Sequence, residues 1–406
     1  MSVTRLATAG AAALALAATT LATTVAGPAQ ASTAERFRVP AGGSFTVSGH
    51  GFGHGHGMSQ YGAEGAARKG LTARQILAFY YPGTTLTTRT QSIRVLITAD
   101  TSRDTNVVAE SGLSVRDLGS GTSYALPDLT GVTRWRLNVD KAGETVVSYR
   151  SDRWHRYRPG GLAHLVGDGQ LRAADGTLTL VLPGGTTATY RGQLRGASPS
   201  PGSTDRDTVD VVSVENYLRG VVAAEMPASW HAAALQAQAV AARTYALREK
   251  ADNRHRYYQI CDTWACQVYQ GTAAEYPSTD AAVRATRGQY LTYDGVPALT
   301  QFASSSGGWT SDGGHAYLPA EADPYDGWAG NPVHSWSTKV DERVLERRYP
   351  GIGDLQTIRI TARDGNGDYG GRVLSLVLVG SKGRQSISGA TFQSLYGLRS
   401  TWFDLS

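Results

Sequence analysis

Residues 209–246 read VDVVSVENYLRGVVAAEMPASWHAAALQAQAVAARTYA, a short β-branched run followed, after Pro227, by an alanine-rich segment. Val209–Val214 has the composition of a strand. From Ser229, which stands where a cap belongs, to Ala246 the spacing of Leu235, Ala239, Ala242 and Ala246 predicts a helix of roughly 20 residues with a continuous apolar stripe. Gln236 and Arg243 lie seven apart and share another face of it. A strand followed by a long helix with no further regular alternation points to a mixed α+β fold. Between strand and helix stands Glu225, one carboxyl among Val221, Val222, Ala223, Ala224 and Met226. An isolated carboxylate is costly to bury in such company, so its pKa should rise and it should hold a proton near neutrality. A protonated carboxyl is what general-acid cleavage of a glycosidic bond requires. The plainer alternative is an exposed Glu at the end of a buried strand.

Outward from this stretch, residues 42–62 interleave glycine with His50, His54 and His56 and end in Met58-Ser59-Gln60-Tyr61-Gly62. A strand over Ser44–Ser48 runs into it. Glycine at every second position opens backbone conformations closed to other residues and lets a ligand approach closely. Three readings are open: a cleft wall contacting glycan, a metal site, or a glycine-rich turn. Met58, Gln60 and Tyr61 anchor the block, and Gln60, like His54 and His56, is a candidate substrate contact. A weak helix is expected near Ala63–Lys69, and a capping box at Thr72-Ala73-Arg74-Gln75 opens another that Pro82-Gly83 ends.

Residues 91–195 read as β-structure, with strand-like runs at Ile93–Ile97, Thr145–Tyr149 and Thr177–Leu182 between Gly, Asp and Pro turns. Arg195 to Asp207 reads as a solvated linker. Further on come a helix over Ser278–Arg287, strands at Gln289–Tyr293, Ala298–Ala303, Thr357–Thr361 and Val373–Val379, and a short helix near Ala390–Tyr396. The expected divisions are 1–31, 43–87, 91–200 and 208–404.

Composition narrows the class. Arg5, the apolar run Ala7–Val25 and Ala29-Gln30-Ala31 form a secretory signal pattern over residues 1–31. No later stretch matches the ~20 apolar residues of a spanning helix, so no stable membrane insertion is expected once the signal is cleaved. The protein is expected to be secreted, extracellular or wall-associated. A net charge of +5 on 406 residues suits an anionic envelope, and the absence of a basic run or stripe argues against nucleic acid. In an oxidising compartment Cys261 and Cys266 are expected to form a short disulfide; a zinc site shared with His255 is the alternative.

Several pieces together resemble the SpoIID/LytB family, which contains the stage II sporulation protein D lytic transglycosylases and the proteins called amidase enhancers. They are Val214–Pro227 with Ala234–Ala246, Cys261-Asp262-Thr263 with Cys266-Gln267-Val268-Tyr269, Thr286-Arg287-Gly288, Leu291–Gly295, Ser304-Ser305-Ser306-Gly307-Gly308, Gly371–Leu376 and Ser400–Phe403. The resemblance covers about 208–404 plus 43–87. It implies peptidoglycan glycan strands as substrate, with an amidase as a further partner, and Glu225 as the single catalytic acid/base. Arg243 and Gln236 are then substrate contacts, though the family commonly has lysine at the latter position. Ser304, Ser305, Ser306 and Gly307 form a substrate-lining loop. No cofactor is implied; some members bind zinc through a histidine beside the second cysteine, where this chain has Ala265. A wall-binding module that stimulates an amidase is the second reading. A metal-dependent amidase lacks its His/Glu ligand set. The block at 49–62 stands ahead of the core, whereas the family carries it after the segment matching Leu398–Phe403. Such a circular permutation predicts that residues 44–60 fold against both 373–403 and the Glu225 region.

Overall fold

The computed structural model describes residues 35–406, so the signal segment lies outside the described residues. There are three hydrophobic cores, and two of them meet on one long helix. Thr105–Val108, Arg134–Val139, Thr145–Arg150, Trp154–Tyr157, Thr177–Val181 and Thr187–Arg191 form a six-stranded sheet. A seven-stranded sheet contains Ser92–Leu96, Ser114–Asp117, Ser123–Ala125, Gly169–Arg172, Gln193–Ala197, Asp207–Ser213 and Ile260–Cys261. Trp135, Leu137, Leu178 and Leu180 of the first share a core with Val115, Leu171 and Leu194 of the second. Arg195–Ala197 is therefore strand rather than linker: it pairs with Thr208, Val209 and Asp207 deep in the sheet, and the solvated loop begins only at Ser198.

Helices α1 (Gln60–Arg68), α2 (Ala73–Tyr80), α3 (Val214–Glu225), α4 (Ala232–Asp252) and α5 (Pro277–Ala285) build the middle of the molecule. The expected capping box is present in full at Thr72 and Gln75. Helix α3 overturns the plainer alternative, an exposed Glu225 at the end of a buried strand. Ser213 accepts from the Asn216 amide at 3.2 Å, capping a helix. Tyr217, Leu218, Val221 and Val222 recur at helical spacing on its buried face. Glu225 is thus the last residue of a helix, and Pro227 prevents further continuation.

Helix α4 begins at Ala232 with His231 as its cap, two residues later than a cap at Ser229 predicts. Its N-terminus is held from a distant part of the chain: Glu64 on α1 accepts from the His231 amide at 2.9 Å and contacts the His231 ring at 2.8 Å. A carboxylate there satisfies a free N–H and complements the helix dipole. Alanine is the reason α4 can be enclosed on all sides. Ala239, Ala242 and Ala246 face the sandwich core, while Ala234, Ala237, Val240 and Ala241 face a second core with Ala63, Ala66, Ile76 and Leu77 of α1 and α2.

The third core joins Phe45 and Val47 to Ile358, Leu376, Phe392, Phe403 and Leu405. Ser44–His50 pairs with both Ser335–Asp341 and Phe403–Leu405. The Gly53 amide donates to the Arg399 carbonyl at 2.9 Å, and Ser400 Oγ donates to the His50 carbonyl at 2.6 Å. The packing expected between the glycine-histidine block and the late segment is therefore observed. The strand expected over Ala298–Ala303 is reduced to Phe302–Ala303, beside Met58–Ser59. The Leu299 amide donates to the Tyr317 hydroxyl and the Gln301 carbonyl accepts from the Tyr81 hydroxyl, so side chains satisfy backbone groups that a ladder would use. No described helix is long and apolar enough to cross a membrane.

Candidate functional site

The C-terminal residue of α3 opens onto a groove of about 520 Å³ lined by residues from 52–60, 264–268 and 301–304 and by Tyr245. Glu225 is half-buried there, and its Oε1 accepts from the Val268 amide at 2.9 Å. Burial pushes its pKa above the ordinary carboxyl value; the Val268 N–H bonded to it and the Gln60 amide beside it pull the other way without cancelling the rise. Its place at the negative end of a helix adds to the cost of ionisation. Among the described residues lining the groove, Glu225 is the only carboxyl.

One wall comes from the glycine-histidine block. Phe52, Gly53, His54 and Gln60 line it. Gly51, Gly53, Gly55 and Gly57 all take positive φ, between 64° and 105°. A Cβ at Gly55 would strike the Arg372 guanidinium and one at Gly57 the Gln301 carbonyl. The alternating glycines therefore seat the loop against its neighbours as well as shaping its path. His54 has its pKa pushed down to about 4 by desolvation, with His56 and Arg372 adding, so it is a neutral ring at neutrality. His56 lies behind this wall, 3.1 Å from the Gln301 side-chain oxygen, and does not line the groove. Gln60, first residue of α1, reaches Glu225 because Met58–Ser59 pairs with Phe302–Ala303.

Trp264, Ala265, Cys266 and Val268 also line the groove, with Tyr245 of α4 and Gln301–Ser304 completing it. Cys261 and Cys266 are joined as a disulfide. The zinc alternative is thereby corrected: the two sulfurs bond each other, and His255 Nε2 accepts instead from Arg254 at 2.8 Å. Among the described residues no group of three or more His, Cys, Asp or Glu converges as a metal site would need.

Arg243 is also corrected. It is fully buried, with its guanidinium bound in two places to Glu215 at 2.8 and 2.9 Å. It donates further to the Gln289 carbonyl at 3.0 Å. This arrangement ties α4 to the first turn of α3 and leaves no face toward the groove, so Arg243 holds the scaffold rather than a substrate. Gln236 is partly exposed and lies outside the groove lining. The serine loop divides. Ser304 lines the groove, whereas Ser305, Ser306 and Gly307 turn inward.

Their partner is Asp326, a residue the sequence did not single out. Its carboxylate accepts from Ser59 Oγ at 2.6 Å, Ser305 Oγ at 2.8 Å, the Ser306 and Gly307 amides at 3.1 Å and Asn331 Nδ2 at 3.0 Å. The His334 ring is 2.8 Å away. Burial opposes its charge, but the bonds from His334, Ser59 and Ser305 outweigh that and hold its pKa below the usual carboxylate value. Beside it Asp323, bound to Tyr80 and Ser306, is raised to about 6 by burial and by Asp326. Phe52, Trp264 and Gln301 were likewise missed as groove residues. Of these only Trp264, inside the cysteine spacing, carried a usable signal.

The stage II sporulation protein (SpoIID) family model matches residues 203–293, which include α3, α4 and the disulfide. The chain is similar to a stage II sporulation protein D of Bacillus amyloliquefaciens, 30% identical over 253 residues, covering 55% of this chain and 71% of that protein. It is 34% identical over 137 residues to an amidase enhancer of Bacillus subtilis (strain 168), covering 32% of this chain and 18% of that one. To the stage II sporulation protein D of that strain it is 36% identical over 124 residues, 27% of this chain and 36% of the other. The chain thus spans well under half the length of these last two relatives.

Proposed function

The chain belongs to the stage II sporulation protein D family, and on that premise we propose that it is a secreted lytic transglycosylase that cleaves peptidoglycan glycan strands at Glu225. What carries the reading is a lone carboxyl with a raised pKa lining the groove. Hydrolytic glycosidases pair two carboxylates. A transglycosylase can use one, because the 6-hydroxyl of the muramic acid sugar is the nucleophile. Protonated Glu225 gives its proton to the glycosidic oxygen as the C1–O bond breaks. The 6-hydroxyl oxygen bonds to C1, and the Glu225 carboxylate takes the hydroxyl proton, ending protonated again. The products are a free 4-hydroxyl and a 1,6-anhydro end. Intramolecular attack supplies the proximity that a second residue would otherwise arrange. Gln60 and the Val268 amide support the carboxylate stage of the cycle by donating to it.

The similarity to an amidase enhancer favours a second reading, in which the groove binds wall glycan and stimulates an amidase without cleaving. Digestion of purified glycan strands, with mass analysis of the ends, separates the two. The wild type is expected to leave anhydro ends and Glu225→Gln to lose at least about a hundredfold in rate, the scale of general-acid catalysis. Equal anhydro yield from both proteins removes Glu225 as the catalyst. No anhydro ends from either, with amidase stimulation retained by both, selects the binding reading. We also propose that the glycine-histidine block is a permuted family element, a reading supported by its seat against both Phe403–Leu405 and Glu225.

A further inference from the structure

Trp264 is 89% exposed, more than any other large hydrophobic side chain described, yet it lines the groove that holds Glu225. An apolar ring of this size left in water forfeits a large burial gain, which makes it a sign of something that covers it. Its mounting is firm. The ring sits within the loop closed by the Cys261–Cys266 disulfide, whose Cα atoms are 5.5 Å apart. A turn inside the loop is fixed by the Cys266 amide donating to the Thr263 carbonyl at 2.9 Å. Asp262 anchors the loop to the sheet, accepting from Thr98 Oγ1 at 2.6 Å and from the Thr98 amide at 3.1 Å. Ile260–Cys261 continues that sheet as a parallel edge beside Val95–Leu96. Two residues past the disulfide, Val268 supplies the amide bound to Glu225. The loop thus fixes the exposed ring and a donor to the acid within one short segment.

Phe52, which lines the same groove, is 46% exposed, on backbone paired with Ser305 in both directions at 2.9 and 3.1 Å. The same lining contains Gln60, Gln301, Ser304 and neutral His54, groups that hydrogen-bond without charge. Flat apolar rings and uncharged polar groups lining one groove match a pyranose chain, which has C–H faces and a hydroxyl and acetamido rim. They match an ionic ligand poorly.

We propose that Trp264 is a sugar-stacking platform, held out by the Cys261–Cys266 loop, that binds an N-acetylhexosamine ring of a β-1,4-linked strand beside Glu225. The proposal deepens the glycan-groove reading and rests on it. It assigns the disulfide a part in binding as well as in stability: with the loop open, the ring loses its fixed orientation, and ordering it on binding costs affinity.

The test uses the Glu225→Gln protein, so that binding is read without turnover, and a β-1,4-linked N-acetylglucosamine tetramer as probe in titration calorimetry. Adding Trp264→Ala is expected to weaken binding about tenfold, or about 1.4 kcal/mol. Trp264→Phe should restore most of it, because a flat ring is what is needed. Cys261→Ser with Cys266→Ser should weaken binding in the same direction with Trp264 still present. Because Trp264 is exposed, its substitution leaves the fold intact, and an unchanged melting temperature checks this. Equal affinity with and without the Trp264 ring overturns the platform while leaving the groove reading standing. Failure of the parent to bind the tetramer at all overturns both. The absence of anhydro ends in the digestion assay, with the Trp264 effect present, overturns only the transglycosylase reading.

Discussion

At Glu225 function and stability oppose each other. Its folded pKa lies above its ordinary value because burial disfavours the charge. Between the two values the folded state holds more proton than the unfolded chain, so stability falls as pH rises through that window. Below it both states are protonated and the penalty is absent. Glu225→Gln removes the ionisation, so it should melt higher than wild type at neutral pH, by the order of 2 °C, and equally in acid below the ordinary carboxyl range. Calorimetric melts at the two pH values check this; a variant that melts lower at neutrality would mean that the carboxylate form is favoured in the fold. Gln60 sets the other limit, since its bond favours the charged form and its loss should move the alkaline limb of activity upward. The raised pKa was legible in the apolar residues around Glu225. Gln60 as its partner was not, because the two are joined only by the pairing of Met58–Ser59 with Phe302–Ala303.

Among the elements, α3 and α4 show most directly how local signals yield to packing. The buried guanidinium of Arg243 is satisfied by Glu215 and by backbone carbonyls, so it joins the start of one helix to the middle of the other. Arg243→Met strands Glu215 without its partner and should destabilise by about 3 kcal/mol. Arg243→Lys should recover only part, since an ammonium cannot reproduce the two-pronged contact. Below its melting temperature the Lys variant should keep the wild-type KM for glycan strands, which a residue touching substrate would not. Denaturant melts and initial rates read the two effects separately. The helical spacing on α4 revealed its core stripe, but a spacing argument cannot say which polar residue on the remaining face is enclosed by another segment. The same limit moved the start of α4, because Glu64, far away in sequence, supplies its N-terminal partner. Packing likewise holds the Val221-Val222 pair of α3 in helix, β-branched preference being weaker than the burial of four side chains on one face.

For the molecule as a whole, the groove is a junction and its integrity depends on one buried carboxylate. Asp326 binds Ser59 ahead of α1, the serine loop at Ser305 and the His334 turn, and so draws three distant segments together. Its pKa is depressed, so its stabilisation is present above the ordinary aspartate range and is lost as pH falls through the depressed value. His334 is shifted up by the same contact, so that contribution is present below the ordinary histidine range and is lost as pH rises through the raised value. Asp326→Asn should cost about 3 kcal/mol at neutral pH, with the difference from wild type shrinking in acid. It should also open residues 50–60 and 304–308 to hydrogen exchange; unchanged exchange there would mean that the three segments hold together without it.

By itself the sequence determined the mixed α+β class, the alanine-rich helix and its core stripe, the disulfide spacing and the single carboxyl in apolar company. Each of these is written in local composition or in a period of a few residues. Only the tertiary structure decided that Arg243 and the inner serines are buried, and that Trp264 and Phe52 line the groove of the acid. The physical reason is that exposure and pairing depend on which distant surfaces close over a side chain. That closure is set by two cores meeting on one helix and a third beside them, at separations that no local pattern encodes.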